Sequence, residues 1–422
     1  MRHTARPTKG NTIRRITDHG SRITNHAPHP TRSPPRNLSA VKIALVHECV
    51  AGYHGSERVL AELAGVYPDA PIFLTACERG VLDGTPLAGR DLRTTWLDRL
   101  LRVPGLRGRH RLMLPLMPHA VETHDLRGFD VVISSHHAAA HGVLTRADQV
   151  HLSYCHSPAR YAWDLVHEHV DPTRAAPLKR AVLHRFRQWD QLAGRRVDAF
   201  AANSAAVARR VRKTYGKAAT VIHPPVDTAR FDPTREREDF YVVLGRLVPY
   251  KRAGVVVEAF NRMNAGGVPR RRLVVIGDGP LEKTLRRAAG PGVAFAGELD
   301  DAAVADHLQR CRALVFAAEE DFGMAPVEAM AAGAPVIALD RGGARETVID
   351  GETGVWFAAA GTGPTADEVA AAVHRFEGSG VRRAAAGLNS HAASFGRAPF
   401  CRAVGGWVQD ALRTFERNRP SD

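Results

Sequence analysis

The sequence is poor in the features that mark a stapled, membrane-spanning or dinucleotide-binding chain. Its five cysteines, Cys49, Cys77, Cys155, Cys311 and Cys401, are odd in number and scattered, with no C-x-x-C pair. That pattern argues against a disulfide framework and a spaced zinc site, and makes a reducing cytoplasm the expected setting. No run approaches the roughly 18 apolar residues of a spanning helix, and the N-terminus lacks the continuous apolar core of a signal peptide. Any contact with a membrane is therefore expected from its surface. The first glycine-bearing loop does not read G-x-G-x-x-G, which counts against a nicotinamide or flavin enzyme. What is present is ordinary globular composition, 44% hydrophobic and 24% charged over 422 residues. That length allows two or three domains, each with its own core.

The net charge of +14 is unevenly spread, because residues 1–40 hold eight Lys or Arg against Asp18 alone, a net of +7. The same segment is rich in Pro, His, Thr and Arg and carries an imperfect repeat, Arg15-Ile-Thr-Asp-His-Gly and Arg22-Ile-Thr-Asn-His-Ala. It has too few apolar groups to bury, and residues 1–40 read as a disordered basic extension. Such a segment is either a dispensable or mis-assigned start or an arm drawn to anionic surfaces. The other 382 residues carry only +7 (14 minus 7) and show no helix-turn-helix or stacking motif, so no nucleic-acid partner is expected.

From Val41 onward, short runs of Val, Ile, Ala and Leu alternate with segments of helical period, the pattern of parallel sheets built from strand-helix-strand units. Strands are expected at Val41–His47, Asp130–Ser134, His151–Cys155, Ala199–Asn203 and Thr220–His223. A second series is expected at Tyr241–Gly245, Leu273–Gly277, Val293–Ala296, Ala313–Ala317, Pro335–Leu339 and Val355–Ala358. Two doubly wound α/β domains fit, 41–223 and 224–398, divided at Pro224-Pro225 where pairing must stop. Residues 399–422 are expected to form a helix packing back toward the first domain.

Ligands of open parallel sheets lie beyond the carboxyl ends of the strands, and three loops there are polar or glycine-rich. The first, Gly52-Tyr53-His54-Gly55-Ser56-Glu57, permits close backbone approach, with Ser56 as a candidate helix cap; a plain tight turn explains it equally. The second, Gly245-Arg246-Leu247-Val248-Pro249-Tyr250-Lys251, places two cations at a strand end, suited to a diphosphate or simply to solvent. The third, Glu319–Met330, sets Glu320 and Glu328 eight residues apart, with Gly323 freeing the backbone and Pro326 at an early helical position. Free amides at that helix start would face the same anion as Arg246 and Lys251.

Glu320 and Glu328 in this setting resemble the E-x7-E motif of retaining GT-B glycosyltransferases of family four, bacterial nucleotide-sugar enzymes that include many mannosyltransferases. Agreeing in order and spacing are His47-Glu48 with Gly55–Leu60, Tyr154-Cys-His-Ser-Pro-Ala-Arg-Tyr-Ala-Trp163, Ala202-Asn-Ser204, Val221–Asp227, Gly277-Asp-Gly-Pro280, and Gly342-Gly343 with Glu346. The likeness covers roughly residues 41–400. It implies a GT-B fold, two Rossmann-like domains facing across a cleft, and transfer of a sugar, with GDP-mannose the favoured donor. The acceptor would be a saccharide or lipid-linked saccharide in surface polysaccharide or glycolipid synthesis, reached from the cytoplasm or the inner face of the membrane.

The resemblance also implies roles. Arg246 and Lys251 would bind the diphosphate, and Glu328 the ribose hydroxyls. Glu320 and His156 would contact the donor sugar at the reacting centre, with Phe322, Gly323, Met324 and Ala325 completing the donor wall. Gly52, Gly55 and Arg160 would form the acceptor and phosphate loop. No cofactor or metal is expected: the cations do a metal's work, no D-x-D pair occurs, and the adjacent His136 and His137 point apart. The first loop departs from the family's adjacent glycine pair, and Ser135-His136-His137 is richer in histidine than expected. Trp96–Met117 interleaves arginines with large apolar groups, either as a face for an anionic membrane or as a core-facing helix and loop. A UDP-sugar transferase and a nucleotide-sugar epimerase of the same fold are the alternatives.

Overall fold

The computed structural model describes residues 41–103, 105–106, 110–169, 176–265, 271–361 and 363–418; the expected basic extension lies outside them. Two sheets are formed. The first contains β1 (Ile43–Val50), β2 (Ile72–Cys77), β3 (Leu92–Thr94), β4 (Val131–His136), β5 (Val150–Cys155), β6 (Ala199–Ala202) and β7 (Ala219–Val221). The second contains β8 (Phe240–Leu244), β9 (Arg272–Ile276), β10 (Val293–Gly297), β11 (Ala313–Phe316), β12 (Val336–Leu339) and β13 (Gly354–Phe357). Their orders are β3-β2-β1-β4-β5-β6-β7 and β10-β9-β8-β11-β12-β13, and the pairings are parallel. Both are doubly wound Rossmann-like sheets whose order reverses beside the first strand, at β1/β4 and at β8/β11.

Continuous burial along these strands follows from helices covering both faces. In β1, Leu45 packs with Leu60, Leu63 and Ile133 on one face, while its neighbours Ala44 and Val46 join Phe73 and Val132 on the other. In β8, Val242 and its flanking Tyr241 and Val243 divide the same way between two clusters. The helices carry ordinary end signals: Ser204 caps Ala205–Tyr215 by accepting the Val207 N–H, and Gly216 ends it with φ +71°. Thr365 and Glu368 form a capping box for Ala366–Ser379. The last helix, Arg397–Asn418, inserts Phe400, Val404, Trp407 and Val408 into the first-domain core, each worth roughly 1.5–3 kcal/mol of burial. None of the described helices is long and apolar enough to cross a membrane.

Two expectations need correction. The first sheet has seven strands rather than five: β2, six buried residues, and the three-residue edge strand β3 extend it beyond β1. Ser56 is no cap: the helix Gly55–Val66 starts before it with His54 at the cap position, and the Ser56 hydroxyl donates to Glu57. Trp96–Met117 holds a short helix, Trp96–Leu101, and a 3-10 segment, His110–Leu116, leading into Met117–Val121, the helix ending before Pro104 and Gly105. There Leu97, Met113 and Met117 are buried, whereas Leu112 stays 60% exposed.

Candidate active site

The carboxyl ends of the two sheets border one cleft of about 690 Å³. From the first domain come His54, Gly55, Ser56 and Arg58 after β1, His137 after β4, and His156 and Arg160 after β5. From the second come Gly245 and Lys251 after β8, and Glu320–Ala325 with Glu328 after β11. Both order reversals thus feed the same space, where such sheets bind ligands.

The second-domain wall is set by glycine contacts. Gly323, at φ +83°, turns the chain into the helix Met324–Ala331. A Cβ on Gly342 would lie 2.3 Å from the Glu320 carbonyl oxygen, and one on Gly343 would lie 2.3 Å from Phe322 Cα. The pair lets the Glu320–Phe322 loop settle against it, with Gly343 N–H donating to Glu320 O at 2.9 Å. Glu320 Oε1 pairs with Lys251 Nζ. Glu328 is buried and accepts from Arg230 Nη2 at 2.9 Å, with Arg58 Nη1 at 3.7 Å; Asp301 binds Arg58 and Arg230 at 2.9 and 3.1 Å. Burial raises the Glu328 pKa, opposed by Arg230 and Arg58. The Phe322 ring packs toward His223 and Phe395, so this residue borders the cleft mainly by its backbone.

The first-domain wall hangs on Glu48. Its buried carboxylate accepts the N–H groups of His137, Ala138, Ala139 and Ala140 at 2.8–3.1 Å, which fixes the turn after β4 and sets His137 at the cleft. Burial alone would raise its pKa; His136, His137 and the backbone donors hold it well below the usual carboxylate value. His156 Nε2 meets the Ser135 hydroxyl at 2.8 Å. Burial, then His137 and His47, push the His156 pKa well down, so its ring is neutral at pH 7. A Cβ on Gly55 would meet Met324 Cε of the opposite domain at 2.9 Å, so the bare backbone permits the approach of the two walls. Arg160 donates to Asp321, which also pairs with Arg210.

Most residues singled out by sequence therefore converge on the cleft. Two do not line it. Arg246 is exposed and borders an adjoining recess with Lys251 and Glu320, and Gly52 accommodates the His54 ring, whose Nε2 a Cβ would approach to 2.4 Å. Sequence reading missed Arg58, Arg230 and Asp301, whose pairing across the cleft no spacing rule signals. His136 and His137 do point apart: His136 joins His141 and Asp190 in a buried group with metal-ligand spacing. Within that group His136 Nε2 meets Tyr215, His141 Nε2 meets Asp190, and Tyr215 and Trp163 donate to the Asp190 carboxylate, while the Nδ1 atoms of both histidines have no hydrogen-bond partner among the described residues. A cavity of about 750 Å³ under the last helix is lined by Asp198, Thr220, Arg402 and Trp407, and lies away from the strand ends that converge here.

The family descriptions that match are "Glycosyltransferase Family 4" over residues 53–230 and "Glycosyl transferases group 1" over residues 226–390. A GDP-mannose-dependent alpha-(1-6)-phosphatidylinositol monomannoside mannosyltransferase of Mycolicibacterium smegmatis is 35% identical over 172 residues, 34% of this chain and 45% of that protein. Its Mycobacterium tuberculosis counterpart is 34% identical over 224 residues, 47% of this chain and 55% of that protein. The chain thus spans about half the length of these relatives. Among solved structures, Anabaena HepE in complex with UDP-glucose superposes with a TM-score of 0.62 at 18% identity, covering 87% of this chain and 99% of that one. Sucrose-phosphate synthase of Thermosynechococcus elongatus gives 0.61 at 16%, covering 88% and 100%. With the two family matches together spanning residues 53–390 over both parallel-sheet domains, the chain belongs to the GT-B glycosyltransferases of family four.

Proposed function

We propose that the protein is a retaining, metal-independent glycosyltransferase that moves mannose from GDP-mannose to a saccharide or lipid-linked saccharide. The cleft carries the proposal: Lys251, the start of the helix Met324–Ala331 and two carboxylates, Glu320 and Glu328, meet a first-domain wall of Gly55, His156 and Arg160. Lys251, aided by Arg246 and the helix amides, would stabilise the charge building on the leaving diphosphate, the role a metal plays elsewhere. Glu328 would accept hydrogen bonds from ribose hydroxyls, and Glu320 and His156 would face the sugar. The acceptor would attack from the face the diphosphate leaves, so no nucleophilic side chain is assigned. The GDP-mannose-dependent relatives favour that donor. Surface polysaccharide or glycolipid synthesis at the inner face of the membrane is the setting proposed.

The test is thermal stabilisation of the full chain by GDP, UDP and ADP at equal concentration without added metal, followed by transfer assays with the sugar of the preferred nucleotide. At 100 times its dissociation constant GDP should add about 2.7 kcal/mol, and Glu328→Ala or Lys251→Ala should abolish the gain. UDP selectivity would overturn the choice of mannose. Donor turnover without acceptor would favour an epimerase, and no response to any nucleotide would count against a transferase.

A further inference from the structure

We infer that Ser135, His47 and Glu57 form a positioning relay that fixes the His156 ring as a hydrogen-bond donor to the cleft; this rests on the transferase reading. The four side chains come from β1, the helix after it, β4 and the end of β5, and they form one line from the first-domain interior to the cleft wall. Glu57 Oε1 lies 3.5 Å from His47 Nε2, and His47 Nδ1 lies 2.9 Å from Ser135 Oγ and 3.1 Å from the Ser135 carbonyl oxygen. Ser135 Oγ in turn lies 2.8 Å from His156 Nε2.

The proton placement follows from what each atom can do. A carbonyl oxygen only accepts, so the Nδ1 of His47 is the donor there, and its N–H is shared with Ser135 Oγ. The Ser135 hydroxyl then receives from His47 and has its own proton to give, and its remaining neighbour is His156 Nε2. That nitrogen is the acceptor, so the neutral His156 ring carries its proton on Nδ1. Among the described residues Nδ1 has no protein partner, and it is not one of the buried unpaired atoms, so it opens on the cleft that His156 lines. Glu57 stands at the inner end, 3.5 Å from a His47 Nε2 that makes no hydrogen bond among the described residues. Burial alone would raise its pKa, but His47 and the helix-start N–H groups hold it at about 2, so it is ionised at neutral pH. Its second oxygen also accepts the His54 N–H at 3.0 Å, which ties the relay to the loop bearing Gly55.

The consequence is chemical. With Nε2 committed to Ser135, His156 can offer a hydrogen bond to a sugar or leaving-group oxygen but cannot accept the acceptor's proton through Nε2. Ser135, His47 and Glu57 would not touch substrate and act only through His156.

The experiment is a long-range proton–nitrogen correlation spectrum of the full chain labelled with nitrogen-15 histidine, the His156 signals being identified by their loss in His156→Asn. The relay requires a neutral ring protonated at Nδ1 in the unaltered protein, a change of that tautomer pattern in Ser135→Ala, and its retention in Ser135→Thr, which keeps the hydroxyl. Protonation at Nε2, or a pattern unmoved by Ser135→Ala, would overturn it. If Ser135→Thr does not fold, the unaltered spectrum and Ser135→Ala decide alone. In transfer assays Ser135→Ala should lower kcat about 10-fold with little change in donor KM; an unchanged kcat would remove the catalytic consequence. Nucleotide-induced stabilisation, measured on the same samples, reports separately on the transferase reading, so either can fail without the other.

Discussion

At the scale of single residues, the cleft is held by charges that neutralise one another, and each pairing has a measurable cost. Glu328 balances Arg230 and Arg58, so Glu328→Gln, which keeps the volume and removes the charge, should weaken GDP binding at least 10-fold, about 1.4 kcal/mol. Isothermal titration of the full chain checks this, and an unchanged affinity would remove Glu328 from the nucleotide site. Buried histidines supply a second prediction. Burial holds His124 and His136 at about 4 and His151 at about 3, the latter two with help from His141. Unfolded, they would titrate near 6.5, so below that pH the unfolded chain binds more protons than the folded one. Stability is therefore full above about pH 6.5 and falls as pH drops toward 4, by up to about 1.4 kcal/mol per pH unit for each ring. A melting temperature that stays level from pH 7.5 to 5 would contradict this. Of these residues Glu320, Glu328, Lys251 and His156 were legible because each follows a strand within a motif. Arg58, Arg230 and Asp301 were not, because their partners lie on distant segments.

At the scale of elements, glycines decide how closely loops approach. Gly343→Ala would drive a methyl against the Phe322 backbone, costing about 1–3 kcal/mol of stability and displacing the Glu320 loop, so nucleotide-induced stabilisation should shrink with it. Gly378, within the helix Ala366–Ser379, faces open space, with nothing within 4 Å of where an alanine methyl would stand. Gly378→Ala should therefore gain about 0.5–1 kcal/mol and leave nucleotide binding alone. Paired chemical melts distinguish the two positions, and similar losses at both would refute the contact. Except for β2, which was passed over although its six residues are buried, the longer strands of both sheets were readable from their apolar runs. β3 was not, since three residues with partly exposed side chains carry no period, and its place comes from pairing with β2.

At the scale of the whole molecule, polar contacts join the two domains around the cleft. Arg58 on the first reaches Asp301 and Glu328 on the second, and Arg160 and Arg210 reach Asp321. Glu346 accepts the N–H groups of Ala205 and Ala206 at the start of a first-domain helix and meets His223 at 3.1 Å. A carboxylate there complements the helix dipole as well as its unpaired amides. Glu346→Gln should therefore loosen the closed arrangement and raise the radius of gyration in small-angle scattering, while the far-ultraviolet circular dichroism stays unchanged. An identical scattering curve would show that this contact does not hold the domains together.

The sequence by itself determined the fold class, all but two of the parallel strands and the loops that line the cleft, because hydrophobic period and glycine or proline punctuation are local properties of the chain. Only the tertiary structure decided which charges meet across the cleft, that Arg246 and Gly52 stand outside its lining, and that Glu57, His47 and Ser135 stand behind His156. Those relations join distant residues, 243 positions apart in the case of Arg58 and Asp301, and such distances close only when two parallel sheets turn their carboxyl ends toward each other.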